Sequence, residues 1–453
     1  MNIHNNSLHK KFLKETNTKD FYEILKSVQE YITKKYPGVW NYEENIIKEE
    51  LKPYIMKYID DYSLSVEGLN QEELTERIIS EMAGFSFLDK YIYRKNKDLE
   101  EININQFNST RITYSNGDKE FIKESFDSPE HAEIVLKRLF RKSNIVFDRS
   151  QPLVRGHLEN NIRITALGMG VVDEDKGPAV SIRIINPRNL TQEDFITSET
   201  ASKEMLYVVT NIFKYGGSIC ITGPTNSGKT TTLIVITEGA VSNNDRLITI
   251  EEGVREFDLV KRDSNGNIIN EVIHLSTKYS NDSKKNIDQE KLLEFSLTMH
   301  PDFFIISEMK GKEAFEAQKA ANTGHPFMTT IHANSCDDTY PRMVDLCKSK
   351  SNMDDKTLYD NVTRAFPIVI FQKQLKDKTR KIMEIKECVV SEDGKRKMIT
   401  LFRFKMKGET IINGKKKILG DFIKVENISE SLQRRLSENG MPDEVLEKIL
   451  GKW

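Results

Sequence analysis

Short apolar runs alternate with segments of helical periodicity between residues 205 and 372. Runs this short, bounded by polar residues, are typical of buried strands, and the stretches between them have the spacing of helices. We predict strands at 218–222, 247–250, 303–306, 328–331 and 368–371, and helices at 229–239 and 313–322. Strand and helix in regular alternation predict an α/β fold, with a parallel sheet that carries helices on both faces.

The N-terminal segment, residues 1–82, has apolar residues at helical spacing and predicts two or three helices. One predicted face holds Ile24, Val28, Tyr31 and Ile32, and another holds Ile46, Leu51, Ile55 and Ile59. A solvated helical extension and a partner-binding one fit this pattern equally well.

Residues 83–187 change to alternating apolar and polar positions, which predict strands at 102–105, 111–114, 163–166 and 180–184. Ser128 before Pro129 predicts the start of a helix, because serine caps helices and proline suits the first turn. We therefore expect an α+β domain here, a linker at 188–204 and an α/β domain at 205–382. The segment 258–290 predicts an exposed hairpin or loop. Residues 383–453 predict a β-rich C-terminal subdomain that ends in a helix near 443–450.

The charge of the chain is nearly balanced, with 67 Lys and Arg against 69 Asp and Glu in 453 residues and a net charge of −2. This balance argues against a nucleic-acid coat and against an acidic tail. The 4 cysteines include no C-x-x-C pair, so we expect no paired-thiolate zinc site and no disulfide framework. No apolar run is long enough for a membrane span, and the first residues lack the apolar core of a secretory signal. We therefore expect a cytoplasmic protein, or one on the cytoplasmic face of the membrane.

Residues 223–230 match the phosphate-loop pattern G-x-x-x-x-G-K-[ST], between a predicted strand and a predicted helix. The predicted nucleotide ligands are Gly223, Pro224, Thr225, Asn226, Ser227, Gly228, Lys229, Thr230 and Thr231. Backbone N–H groups and the helix N-terminus of such a loop hold phosphate oxygens. Lys229 can reach the β- and γ-phosphates, and the Thr230 hydroxyl can bind Mg²⁺. The predicted cofactors are ATP and Mg²⁺.

Three further strands deliver carboxylates or a histidine to their carboxyl ends, where ligands bind in open α/β sheets. Glu308 has the position of a Walker-B carboxylate, which holds the metal or orients the attacking water. Glu251 and Glu256 are both candidates for a base or a metal-shell group, and the sequence does not choose between them. His332 is a candidate for contact with the γ-phosphate. His325 is a weaker candidate, because a lone histidine is often an ordinary loop residue.

Four motifs together resemble one family, the traffic ATPases of bacterial type II and type IV secretion, type IV pili and conjugation. They are the Walker A at 223–230, an acidic box at 246–257, the Walker B at 300–308 and a histidine box at 323–335. The tail is similar to the CpaF-like branch, which serves Flp pili or conjugation. Lys310 departs from the family, which usually has arginine there, and this puts an arginine role at that position in doubt.

The resemblance implies a RecA-like ATPase domain preceded by a PAS-like domain at 83–187. Arginines of that domain would meet the nucleotide phosphates, with Arg183 and Arg163 as the best matches and Arg149 and Arg155 as weaker ones. It also implies a homohexameric ring that works with inner-membrane platform or secretion-channel proteins. From the balanced charge, we expect no direct sequence-specific nucleic-acid binding. Two other functions stay open, a hexameric DNA translocase or helicase and a non-catalytic scaffold gated by nucleotide.

Overall fold

The computed structural model describes residues 17–41, 44–93, 99–115, 117–143, 145–158, 162–185, 190–253, 255–278, 283–391, 394–412 and 414–451. The chain divides into two compact units, Met1–Ile184 and Ile185–Trp453. Across these described ranges, no helix combines the length and the apolar character that crossing a membrane requires.

The first part of unit 1 is helical. It comprises β1 (Asn17–Thr18), α1 (Phe21–Lys35), α2 (Glu44–Asp61), β2 (Leu64–Ser65) and α3 (Gln71–Ala83). The three helices share one apolar core, which contains most of the residues predicted to face it. Ile46 is the exception, with 44% of its surface exposed. Ile47, which precedes Leu51 by four residues, takes the inward position instead.

The rest of unit 1 is an α+β arrangement with its own core. It comprises α4 (Leu88–Ile92), β3 (Leu99–Gln106), β4 (Ser109–Tyr114), β5 (Lys119–Phe121), α5 (Pro129–Lys142), β6 (Leu153–Leu158), β7 (Ile162–Leu167) and β8 (Ala179–Ile184). The strands form an antiparallel sheet in the order β5-β4-β3-β8-β7-β6. The predicted helix start is confirmed, because the Ser128 hydroxyl accepts a hydrogen bond from His131 N–H at 3.1 Å.

Unit 2 contains the predicted strand–helix alternation. Its elements are α6 (Gln192–Thr197), α7 (Lys203–Lys214), β9 (Ile219–Thr222), α8 (Lys229–Ala240), β10 (Arg246–Glu251), β11 (Glu271–Ser276), α9 (Gln289–Ser296), β12 (Phe303–Ile306), α10 (Glu313–Asn322), β13 (Phe327–Ile331), α11 (Thr339–Lys348), α12 (Asp355–Ala365), β14 (Ile368–Gln374), β15 (Arg380–Val390), β16 (Arg396–Ile412), β17 (Lys415–Lys424), α13 (Glu430–Glu438) and α14 (Asp443–Ile449).

Within the described residues of unit 2, nine strands form one sheet in the order β11-β10-β12-β13-β9-β14-β15-β16-β17. The strands from β11 to β14 run parallel, and the last three pair antiparallel. Successive residues of β12 show that helices cover both faces. Phe303 and Ile305 pack in the core under α7 and α8, while Phe304 and Ile306 pack in the core under α9–α12. The predicted α/β fold with a parallel sheet is confirmed.

Three features of unit 2 differ from the sequence-based expectations: the segment 258–290, the boundary at 382–383 and the linker. The segment 258–290 is more than a hairpin or loop, because it contributes β11, which pairs with β10 along its whole length and extends the parallel sheet. The predicted boundary at 382–383 falls inside β15, so the C-terminal strands continue the sheet of the α/β domain. Within the predicted linker, α6 places Phe195 in the core of unit 2.

Candidate active site

The carboxyl ends of four adjacent strands meet at one edge of the unit 2 sheet. The phosphate loop, residues 223–230, follows β9 directly, and Glu251 is the last residue of β10. Glu308 comes two residues after β12, and His332 follows β13. Because β10, β12, β13 and β9 are consecutive in the sheet, these groups come together although they are far apart in sequence.

The phosphate loop has a backbone that requires glycine at two positions. Gly223 has a φ of 153° and Gly228 a φ of 92°, and such positive values favour glycine. A Cβ atom at Gly223 would lie 2.1 Å from the carbonyl oxygen of Gln372 on β14, so a side chain would push the loop away from the sheet. Helix α8 starts at Lys229, and no side chain among the described residues caps its N-terminus. Its first N–H groups can therefore bind an anion.

The Lys229 ammonium lies inside the phosphate loop. Its Nζ donates to the carbonyl oxygens of Gly223 and Pro224, both at 3.0 Å, and it lies 3.2 Å from Nδ1 of His332. Burial lowers the pKa of Lys229, and the negative charge of Glu308 partly opposes this shift. The lysine is a desolvated cation held by weak neutral acceptors, which suits exchange for phosphate oxygens.

The buried hydroxyl of Ser227 also fits a phosphate ligand. Ser227 is 1% exposed, and its Oγ has no hydrogen-bond partner among the described residues. A buried hydroxyl without a partner costs free energy unless a ligand or water satisfies it. The hydroxyl, the uncapped helix and the enclosed lysine fit the phosphate groups of a nucleotide.

Glu308 and His332 form one contact pair at this edge. His332 Nε2 lies 2.8 Å from Oε1 of Glu308. His332 Nδ1 lies 3.2 Å from both the Lys229 ammonium and the carbonyl oxygen of Gly223. The two predicted residues therefore connect the lysine of the phosphate loop to the Walker-B glutamate.

Lys310 binds two glutamates at the site. Its Nζ lies 2.7 Å from Oε2 of Glu252 and 3.2 Å from Oε2 of Glu308. Burial alone would lower the pKa of Lys310, but the hydrogen bond to Glu252 and the charges of both glutamates raise it overall. A point charge on a flexible stem can bridge two carboxylates in this way, although it cannot form the two-pronged pair of an arginine.

Glu251 and Glu256 occupy different positions. Glu251 is 1% exposed, and its Oε2 accepts the backbone N–H of Glu256 at 2.5 Å. The Glu256 carboxylate in turn lies 3.4 Å from the Thr230 hydroxyl of the phosphate loop. Glu256 therefore reaches the predicted metal-binding hydroxyl, and Glu251 holds Glu256.

The oxygens near Thr230 fit Mg²⁺ bound together with a nucleotide. Such an ion needs only one or two protein oxygens, because phosphates and water supply the rest. Thr230 and Glu256 offer oxygens at this point. Glu308 follows β12, which is the neighbour of β10 in the sheet. In the ranges that the structure describes, no group of 3 or more His, Cys, Asp and Glu side chains could hold a metal ion by itself.

His325 lies at the opposite edge of the sheet. It precedes β13 whereas His332 follows it, so the length of the strand separates the two histidines. The His325 ring packs edge-on against Phe304, with centroids 5.7 Å apart. The structure does not bring His325 to the phosphate loop of its own chain, because the two ends of one strand cannot meet at the same edge.

The predicted arginines all lie in unit 1. Arg183 on β8 and Arg163 on β7 are register partners in adjacent antiparallel strands, so they lie side by side on one face of that sheet. Arg155 on β6 points to the same face, and Arg149 forms an ion pair with Glu174 at 3.1 Å. The structure thus brings Arg183 and Arg163 together, and their role toward a nucleotide stays a prediction.

Sequence reasoning missed two residues that contact the phosphate loop or the helix that follows it. Arg380 on β15 donates from Nε to the carbonyl oxygen of Asn226 at 3.1 Å. Gln372 on β14 accepts from the Thr232 hydroxyl of α8. Both contacts link residues more than a hundred positions apart, and only the sheet order places them together. No local pattern could have found them.

Comparison with known proteins agrees with this geometry. The family described as type II/IV secretion system protein matches residues 156–428, which is more than half of the chain. The chain belongs to this family. Its predicted class, an ATPase of secretion, pilus or conjugation systems, is confirmed at the level of the family. The CpaF-like branch stays a prediction.

Individual relatives are distant. An uncharacterised protein of Bacillus anthracis is 23% identical over 353 residues, which cover 74% of this chain and 73% of that protein. The conjugal transfer protein TrbB of Rhizobium radiobacter is 27% identical over 228 residues, which cover 49% of this chain and 65% of TrbB. The X-ray structure of the Legionella pneumophila ATPase DotB aligns with 81% of this chain and 88% of its own, at 16% identity and a TM-score of 0.46.

Proposed function

We propose that this chain binds Mg·ATP at the phosphate loop and hydrolyses it to drive a secretion, pilus-assembly or conjugation apparatus. The observation that supports this most is the meeting of Lys229, His332 and Glu308 at one sheet edge, in contact distance of each other. Each comes from a different strand end, and together they offer the cation, the phosphate contact and the carboxylate that phosphoryl transfer requires.

In this proposal each residue has a separate task. Lys229 neutralises the β- and γ-phosphates, and Thr230 with Glu256 supplies oxygens for the metal. Glu308 orients the attacking water, with the His332 ring as its partner. Mg²⁺, when bound, neutralises charge on the phosphates. Arg183 and Arg163 supply positive charge to the γ-phosphoryl group as it departs.

The larger assembly is also part of the proposal. The chain works as a homohexameric ring at the inner face of the cytoplasmic membrane, with an inner-membrane platform or a secretion channel as its partner. Each turnover would drive a conformational step of the ring. Similarity to a conjugal transfer protein favours conjugation among the possible cargo systems.

Lys229→Ala tests the site. We expect phosphate release to fall by at least about a hundredfold, because removal of a charge that stabilises the transition state has an effect of this size. Lys214→Ala is the matched control, since Lys214 is an exposed lysine of α7 in the same unit. Wild-type turnover in Lys229→Ala, with far-UV circular dichroism unchanged, would show that the site is assigned to the wrong residues.

The assembly is tested with the same assay on protein separated by size. We expect turnover only in a large ring, stimulated by anionic lipid vesicles and indifferent to single-stranded DNA. Turnover that requires DNA would show that the protein is a DNA translocase and not a secretion motor. Tight ATP binding without phosphate release would instead support the scaffold.

A further inference from the structure

His274 lies in the segment 258–290, outside every predicted site. It is on β11, directly opposite Thr249 of β10, and its side chain is 10% exposed. Both ring nitrogens are engaged: Nδ1 lies 2.7 Å from the Thr249 hydroxyl, and Nε2 lies 3.2 Å from the backbone N of Leu259. A buried polar side chain with two such partners is held in one orientation.

The contacts of the ring fix its tautomer. A backbone N–H can only donate, so Nε2 accepts from Leu259 and the proton lies on Nδ1, which donates to Thr249. The ring therefore links Thr249 of β10, the strand that ends in Glu251, to Leu259 at the end of the loop that follows this strand. We call residues 251–253 and 255–259 the acidic loop, and His274 closes its base.

A second residue of the same segment holds the start of the acidic loop. The backbone N of Thr277 donates to the carbonyl oxygen of Glu251 at 3.0 Å. The Thr277 hydroxyl accepts from the backbone N of Gly253, also at 3.0 Å. Strand β11 and the residue after it thus fix both ends of the acidic loop.

The acidic loop carries the carboxylate that reaches the phosphate loop. Glu251 accepts from the Glu256 N–H, and Glu256 then lies 3.4 Å from the Thr230 hydroxyl. We propose that His274 is a positioning residue, which acts through the acidic loop to place Glu256 beside Thr230 and thereby shapes the site for nucleotide-bound Mg²⁺. This inference rests on the proposed function, because it concerns the metal shell of the same site.

If His274 had only a structural role, the variants of this residue would behave differently. An apolar side chain could fill the same space beside Thr249, and its packing would not depend on a hydrogen bond to Leu259. A positioning role requires the acceptor at Nε2, so a residue that restores this acceptor should restore the site. Glutamine can reach the same N–H with its Oε1, whereas alanine cannot.

The experiment measures binding of a fluorescent ADP analogue to the full chain, with and without Mg²⁺. We expect His274→Ala to reduce the Mg²⁺-dependent gain in affinity by about tenfold. This is the lower end of the effect that loss of a residue orienting the groups of a metal site has on metal affinity. Affinity without Mg²⁺ should be unchanged, and His274→Gln should recover most of the loss. Val272→Ala is the control, because Val272 is on the same face of β11 and packs, partly buried, against the core.

Thermal unfolding of each variant separates misfolding from mispositioning. If His274→Ala fails to fold, His274→Leu takes its place, since it fills the space of the ring without an acceptor for the Leu259 N–H, and the same loss of the Mg²⁺ effect is expected. A full Mg²⁺ effect in a folded His274→Ala or His274→Leu variant would overturn the inference. Binding by wild-type protein without turnover would defeat only the proposed hydrolysis, and wild-type protein that binds no nucleotide would defeat both.

Discussion

The buried ring of His274 predicts that acid destabilises unit 2. Burial and the nearby charge of Arg255 lower the pKa of His274 from 6.5 to about 4, although Asp258 opposes the shift. The unfolded chain therefore binds more protons than the folded chain between these two values. Stability is fully present above the unfolded pKa and falls as the pH drops through 6.5 toward 4. From these two pKa values, the loss between neutral pH and about pH 5 amounts to about 2 kcal/mol.

Urea unfolding of wild-type protein and of His274→Gln at both pH values measures this loss. Other groups also titrate in this range, His131 with a raised pKa among them, but they contribute equally to both proteins. We expect the wild-type free energy of unfolding to drop by about 2 kcal/mol more than that of the variant. Equal drops in the two proteins would refute the assignment of a buried neutral ring at this position.

Two further predictions concern the phosphate loop and the thiols. Gly223→Ala should abolish nucleotide binding in equilibrium dialysis, because its Cβ would collide with the carbonyl of Gln372; Gly408→Ala, which meets no atom within 4 Å, should bind as wild type does. Burial raises the pKa of Cys347 to about 12 and that of Cys388 to about 11, and all 4 cysteines are buried. A thiol reagent such as Ellman's should therefore label none of them in native protein and all of them in guanidinium, and rapid native labelling would contradict this packing.

The central strands and the phosphate loop could be predicted because their signals are local. A short apolar run, a glycine-rich turn and a helical stretch lie next to each other in the chain, and each reports its own structure. The strand β11 was missed for the same reason. Its residues include Val272, Ile273 and Leu275, but the segment around them is polar, and the pairing with β10 identifies the strand.

The two histidines of one motif show where sequence reasoning stops. His325 and His332 are close in sequence, so a motif groups them, but a whole strand separates them across the sheet. Gln372 and Arg380 show the reverse, because remote residues become neighbours of the phosphate loop through strand order alone. The different positions of Glu251 and Glu256 likewise follow only from burial and from the contact with Thr230.

The continuous sheet of unit 2 limits where the chain can be cut. A truncation after residue 382 would leave β14, the direct neighbour of the phosphate-loop strand, as an edge with unpaired backbone groups. It would also uncover the core face that Leu436 and Ile449 of the last two helices close. A minimal ATPase fragment for crystallisation or assay should therefore run through α14, since a shorter piece would expose a strand that invites aggregation.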